Sequence, residues 1–165
     1  MEWAEVVANP VLRDLPFKIE LNEYGAIIMN PVKIGHSMYQ SEISRLMGNM
    51  RRDGITLVEC AIKTRKGTKA ADVAWASLAW AEMMQNETDA STAPEVCVEV
   101  VSMGNTRREM NTKKKLYFEK GAQEVWFCNE YGYVTFYNAQ GPLTCSVLFP
   151  DFPARVELPL TGRHS

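Results

Sequence analysis

Two carboxylates stand where a folding chain has little reason to place them. Glu99 lies inside Val96-Cys97-Val98-Glu99-Val100-Val101, and Asp72 lies inside Ala70-Ala71-Asp72-Val73-Ala74-Trp75. An ionised carboxylate in an apolar strand costs several kcal/mol unless it is paired or bound to a metal. Side chains alternate along a strand, so Glu95, Cys97, Glu99 and Val101 share one face. Two acids on neighbouring strands make a cradle for a hard divalent cation such as Mg²⁺. The competing reading is that each acid is ion-paired to a lysine or reaches water at a strand end.

Lys113 is the third residue with chemical potential. Met110, Lys113, Leu116 and Tyr117 recur at helical spacing, so they form one stripe of which Lys113 is the charged member. Lys114 borders the stripe and Lys115 points away. A lysine aimed at two carboxylates neutralises them and can stabilise the charge that builds on a phosphate during hydrolysis. The competing reading is a lysine with a packed stem and a hydrated head. The remaining conspicuous side chains read as structure. Trp75, Trp126, Tyr117 and Phe127 fit a core. Cys97 lacks a histidine nearby in sequence, and its burial disfavours a thiolate. Ser102 has no triad partners.

The elements that must position these groups are legible in outline. Phe17 to Met29 reads as a hairpin around Asn22-Glu23-Tyr24-Gly25, ended at Asn30-Pro31. Ile43, Leu46, Met47 and Met50 mark one face of a helix from about His36 to Met50. Ile55 to Ile62 and Ala70 to Ser77 read as strands joined at Arg65-Lys66-Gly67-Thr68, and Met84 to Ala93 as a loop. Val96 to Val101 is a continuous apolar run broken by Glu99, as in a strand buried on both faces. Thr106 is placed to cap a helix that reaches about Lys120 and stops at Gly121. Glu124 to Cys128 and Tyr133 to Tyr137 close the sheet as a hairpin. This mixture of helices and strands around a buried sheet implies an α/β (α+β) core. The chain is expected to be one domain over residues 1–165, with the first 16 or so residues and the tail after about residue 142 peripheral.

The chain has 165 residues, 46% of them apolar and 23% charged. These proportions allow an ordinary packed core without disulfides or a structural metal. Its net charge is −2, which by itself marks no nucleic-acid partner, but the charge is uneven. The segments Arg51–Lys69 and Gly104–Lys120 each hold six basic and two acidic residues. Two basic segments on an acidic body are suited to approach phosphates, and solvated faces are the simpler alternative. Arg65, Lys66 and Lys69 in one segment, with Arg107 and Arg108 in the other, are the expected phosphate contacts on either side of one cleft. Cys60, Cys97, Cys128 and Cys145 form no CxxC pair, which argues against zinc and suits a reducing compartment. The opening MEWAEVVANP lacks the apolar stretch of a secretory signal. No apolar run approaches the roughly 20 residues of a membrane span. The expectation is a cytoplasmic protein without a membrane partner.

The ordered set IELNEYG…IIMNP…H, ADVAW, APEVCVEVVS and KKKLYFEKGAQEVWF resembles the Uma-two family of endonucleases, in the PD-(D/E)XK superfamily. The resemblance covers roughly Phe17 to Tyr137. It implies a restriction-endonuclease-like core, with a mixed central sheet flanked by helices. It also implies an Mg²⁺-dependent endonuclease (Mn²⁺ serving as well) that acts on nucleic acid, DNA being the expected kind, with a homodimer allowed. Asp72 and Glu99 match the two metal carboxylates, and the backbone carbonyl of Val100 a further ligand. The superfamily lysine two residues after the glutamate is replaced here by Val101, and Lys113 matches a position migrated to the following helix. Without it, the site is expected to lack any cation other than the metal. Glu20 and His36 match recurring family positions: Glu20 lining the metal site, His36 contacting a phosphate or capping its helix. Two other readings stand beside the nuclease. One is a non-cleaving nucleic-acid-binding protein on the same fold. The other is an interaction domain whose carboxylates form internal ion pairs only.

Overall fold

The computed structural model describes residues 1–160. In chain order the elements are α1 (Trp3–Ala8), β1 (Phe17–Leu21), β2 (Ile27–Pro31), α2 (Ile34–Met50), β3 (Gly54–Thr64) and β4 (Gly67–Ser77). They continue with α3 (Leu78–Met84), β5 (Val96–Val100), α4 (Arg107–Glu119), β6 (Glu124–Cys128), β7 (Val134–Asn138) and β8 (Gly141–Leu143). Strands β3 to β8 form one sheet in sequence order, while β1 and β2 form a separate antiparallel hairpin. Every neighbouring pair in the large sheet is antiparallel except β5 and β6. That pair is parallel because α4 carries the chain back across the sheet between them. The mixed sheet with flanking helices is the α/β architecture expected from the sequence.

Both faces of the sheet are covered. On one face Ile43 and Met47 of α2 pack against Val73, Val98 and Trp126. On the other, Trp80 of α3 and Tyr117 of α4 pack against Ala74, Cys97 and Val125. All five residues of β5 are buried, which explains why this strand reads as a continuous apolar run rather than an alternating one. Thr106 caps α4 by accepting a hydrogen bond from the Glu109 amide, and Gly121 takes φ +100° just past its end. Both follow the start and stop signals of that helix.

The small hairpin lies against the β3–β4 turn. Gly67 takes φ +87°, and a Cβ there would meet the carbonyl oxygens of Leu21 and Asn22 at 2.3 Å. Glycine therefore permits both the turn and the close approach of the hairpin backbone. The Lys69 ammonium donates to the Leu21 carbonyl at 2.9 Å, and the Ala70 amide donates to Glu20 Oε2 at 2.8 Å. Lys18 and Glu20, two apart on β1, are thereby held over β4.

Two short helices escape the sequence pattern. With six residues in α1 and seven in α3, neither completes enough turns to show a periodic apolar stripe. The tail after Pro142 is a clearer correction. It is not peripheral, because Phe149, Phe152 and Val156 are buried in the main core. Its anchor is the buried Glu124. The Glu124 carboxylate accepts from Trp126 Nε1 at 2.9 Å, Ser146 Oγ at 2.6 Å and the Val147 and Leu148 amides at 2.9 Å each. A single acid at the start of β6 thus satisfies two backbone donors that would otherwise be stranded where the tail enters the core. Replacing Glu124 by Ala should lower stability by on the order of 3 kcal/mol, because several buried donors lose their acceptor at once. A urea or guanidinium midpoint unchanged from the parent protein would contradict this assignment.

Candidate active site

The register of the sheet makes the site. Val73 pairs with Val98, Ala74 with Cys97 and Trp75 with Val96. One step further along the same ladder, Asp72 stands across from Glu99. Both side chains are almost wholly buried, at 1% and 2% exposure. They converge on one point: Asp72 Oδ1 and Glu99 Oε2 each lie 3.0 Å from the Lys18 ammonium. Sequence reasoning missed Lys18. It had assumed that Lys113 alone could supply a fixed cation, and the hairpin supplies another. A signal was present in the alternation of β1, which puts Lys18 on the same side as Glu20.

Each carboxylate is further held by its own set of donors. The Val100 amide donates to Asp72 Oδ2 at 2.8 Å, and His36 Nε2 lies 3.3 Å from the same oxygen. Glu99 Oε1 accepts from the Tyr117 hydroxyl at 2.6 Å and from the Lys113 ammonium at 3.5 Å. Lys113 makes its closer contact with Glu20 Oε2, at 2.8 Å. The stripe on α4 does turn inward as its spacing predicts: Met110, Leu116 and Tyr117 are buried, and Lys113 reaches the acids. Lys114 instead lies 3.8 Å from the centre of the Tyr137 ring, and Lys115 is exposed.

Burial and charge pull the acids in different directions. Burial pushes Glu99 up to about 7, against the opposing pull of Lys113 and Lys18. For Asp72 burial acts in the same sense, but the His36 hydrogen bond and the Lys18 charge outweigh it and hold the carboxyl well below its ordinary range. Glu20 is also held low, because Lys113 and Lys18 together exceed the cost of its burial. Burial alone would lower the Lys18 pKa, yet Glu99, Asp72 and Glu20 raise it well above the ordinary lysine value. The two facing acids are therefore driven apart, Asp72 firmly ionised and Glu99 near neutrality in its titration. Such divergence is common where one carboxylate must bind and another must respond to protons.

A third acid lies in the same cross-strand row. The β3–β4 ladder pairs Val58 with Val73 and Cys60 with Ala71 but skips Glu59 opposite Asp72. Glu59 takes φ +51°, a conformation that non-glycine residues rarely adopt and that concentrates at functional sites. The Asp72 carbonyl accepts instead from Gln40 Nε2 at 2.7 Å, and the same amide group donates to Glu59 Oε1 at 2.8 Å.

Asp72, Glu99, Val100, His36 and Lys113 line one cleft of about 520 Å³, joined by Lys18 and Lys33. Glu20 reaches this group through its contact with Lys113. Arg65, Lys66, Lys69, Arg107 and Arg108, the phosphate contacts expected from charge, are not among the residues that line the cleft. Arg65 donates to Glu119 at 2.9 Å and Lys69 braces the hairpin, while Lys66 neighbours them in the turn. Arg107 and Arg108 line a separate open groove with Asn111, Thr112 and Lys115. These five side chains are thus not the facing walls expected from charge, because internal bonds and helix phase direct them elsewhere.

The donor set suits a hard divalent cation. Two carboxylate oxygens already focus on a single positive charge, and Mg²⁺ characteristically takes one or two carboxylates, with water and phosphate oxygens for the rest. Among the described residues no group of three or more His, Cys, Asp or Glu is placed to hold a metal. The two acids would therefore be the side-chain share of such a site.

Comparisons with known proteins bear on the family and the fold. The family model described as "Uma2: Putative restriction endonuclease" matches residues 10–161. Among solved structures the chain is similar to "a putative nuclease belonging to DUF820 from Anabaena variabilis ATCC 29413". The TM-score is 0.68 at 18% identity, over 85% of this chain and 80% of that one. At that identity the likeness establishes the fold. No curated protein matches.

Tyr117 offers a direct check on the buried network. Its ring is packed in the core while its hydroxyl holds Glu99. Tyr117→Phe keeps the ring and deletes one charge-assisted hydrogen bond, so stability should fall by about 1.5–3 kcal/mol. Equal unfolding midpoints for the two proteins in urea would show that the bond contributes nothing.

Proposed function

Because the chain belongs to the Uma2 family, a family of the restriction-endonuclease kind, we propose that it is a metal-dependent endonuclease that hydrolyses phosphodiester bonds, with DNA the expected substrate. The observation that carries this reading is the convergence of Asp72 and Glu99 on one cation position at the floor of a cleft. Asp72 and Glu99 would hold Mg²⁺ or Mn²⁺, with the Val100 carbonyl as a further ligand. The ion, when bound, supplies a fixed positive charge beside the scissile phosphate and an acidified water.

The protein's own groups do the rest. Lys113, held by Glu20, presents its ammonium where negative charge develops on the phosphate. The Val100 amide and His36 fix the orientation of the Asp72 carboxylate, and Tyr117 fixes that of Glu99. Lys33 at the cleft wall adds positive charge for the nucleic-acid backbone. The outer groove of Arg107, Arg108 and Lys115 extends this field along α4 as a second place for phosphates to lie. Among the described residues no helix is long and apolar enough to cross a membrane, and a cytoplasmic protein working as one domain, with a homodimer allowed, completes the reading.

A second reading is favoured by one contact. Lys18 already neutralises both carboxylates, as it would in a protein on the same fold that does not cleave, whether it binds nucleic acid or is an interaction domain whose acids form internal ion pairs only. Calorimetric titration with Mg²⁺ and Mn²⁺, followed by cleavage assays on several nucleic acids, separates the two. The nuclease binds metal and cleaves; the binding protein does neither at this site.

In the cleavage assay Lys113→Ala should reduce activity by roughly 10² or more while leaving the fold and most nucleic-acid affinity intact. Lys115→Ala should leave the chemical step unchanged. Full activity of Lys113→Ala would remove Lys113 from the mechanism. Binding should also weaken steeply with salt, since each phosphate contact releases counterions. Arg107→Ala with Arg108→Ala should flatten the log–log salt dependence by up to about one unit per contact removed. An unchanged slope would mean that the outer groove touches no phosphate.

A further inference from the structure

The Lys18 ammonium lies where the proposed metal would have to lie. Its nitrogen is 3.0 Å from Asp72 Oδ1 and 3.0 Å from Glu99 Oε2. A divalent cation bound to those same two oxygens from the same side, at about 2.0–2.6 Å from each, would occupy space that the ammonium fills. The two cannot share the position, both because their volumes overlap and because like charges at that separation repel strongly. Lys113 does not face this conflict, since its close partner is Glu20 and it stands 3.5 Å from the other oxygen of Glu99.

Lys18 also has somewhere to go. It lines two cavities: the cleft of Asp72 and Glu99, and a second opening of about 520 Å³ whose walls include Gln40 and Glu59. Glu59 stands opposite Asp72 on the neighbouring strand, in the left-handed backbone conformation, and its carboxylate is held by Gln40. A long side chain at the boundary of two cavities, with carboxylates in both, has rotamers through which it can turn from one toward the other.

We propose that Lys18 is a tethered counter-cation that occupies the metal position between Asp72 and Glu99 and moves toward Glu59 when a divalent cation enters. Metal loading of this site is then an exchange of one cation for another. This inference rests on the metal-dependent reading given above. Lys18 keeps the facing acids paired, and it sets the metal concentration at which the site fills. Glu59 lowers the cost of release by accepting the displaced ammonium, which gives a use to the strained backbone at that position.

The test is calorimetric titration of Mn²⁺ into the full chain and into Lys18→Met, Glu59→Gln and the double variant, with Asp72→Asn as the control that removes a ligand. Lys18→Met should bind roughly tenfold more tightly than the parent. Glu59→Gln should bind several-fold more weakly, and that loss should disappear in the double variant, where no ammonium needs a new partner. Lys18→Met binding with equal or lower affinity overturns the proposal while leaving the metal site standing. Failure of both the parent and Lys18→Met to bind Mn²⁺ or Mg²⁺ overturns the metal-dependent reading along with it. Should Lys18→Met not fold, the parent protein decides. Its Lys18 ammonium resonance, identified by its loss in Lys18→Arg, should shift or broaden in step with Mg²⁺ saturation; a signal unchanged at saturation overturns the exchange.

Discussion

Two carboxylates face each other across β4 and β5 with almost no access to water, and the site depends on neutralising them. Neither could remain ionised alone, since removing a carboxylate from water costs far more than a typical domain's margin of stability. The fold answers with two lysines from different parts of the chain. Lys18 bridges the pair, and Lys113 joins Glu99 to a third buried acid, Glu20. Tyr117 and the Val100 amide donate to further oxygens of the pair, and His36 lies against Asp72. Buried charge clusters of this kind are weak devices for stability.

The delivery of these groups explains several features of the architecture. The hairpin β1–β2 stands outside the main sheet, and its role in the site is to hold Lys18 and Glu20 over β4. Gly67 and Lys69 fasten it there through the turn that joins β3 and β4. Helix α4 crosses between the parallel strands β5 and β6 and brings Lys113 and Tyr117 to Glu99. The strained backbone at Glu59 sits directly across from Asp72 and frees the Asp72 carbonyl for Gln40. Irregularity in the sheet is thus concentrated beside the candidate metal position, as expected where geometry serves chemistry over regular pairing.

Charge on the molecule is organised at two ranges. At short range the acids and lysines of the cleft nearly cancel, with Lys18 between Asp72 and Glu99. At longer range Arg107, Arg108 and Lys115 of α4 and the basic side chains of the β3–β4 turn lie outside the cleft. Those at the turn are partly spent on internal bonds, Arg65 to Glu119 and Lys69 to Leu21. The local excess of positive charge in the sequence therefore overstates what is free to meet a phosphate.

The elements with strong local signals were legible in the sequence. The hairpin around Asn22–Gly25, the long helix α2, the paired strands β3 and β4, the doubly buried β5 and the capped helix α4 all follow from periodicity and from turn and cap residues that act over a few positions. The anomaly of Asp72 and Glu99 was legible for the same reason, since a charge inside an apolar run is a local contradiction. So was the inward phase of Lys113, which helical spacing determines. Tertiary structure alone decided the rest. Glu124 reaches twenty-odd residues forward to draw the tail into the core, and no periodicity announces such a bond. Lys18 lies 54 residues from Asp72 and 81 from Glu99, on a hairpin whose docking rests on a glycine and two hydrogen bonds. Where the basic residues point depended on salt bridges and helix phase across elements. Local sequence specifies which side chains share a face; only packing determines which distant faces meet, and a site built from meeting faces becomes visible only then.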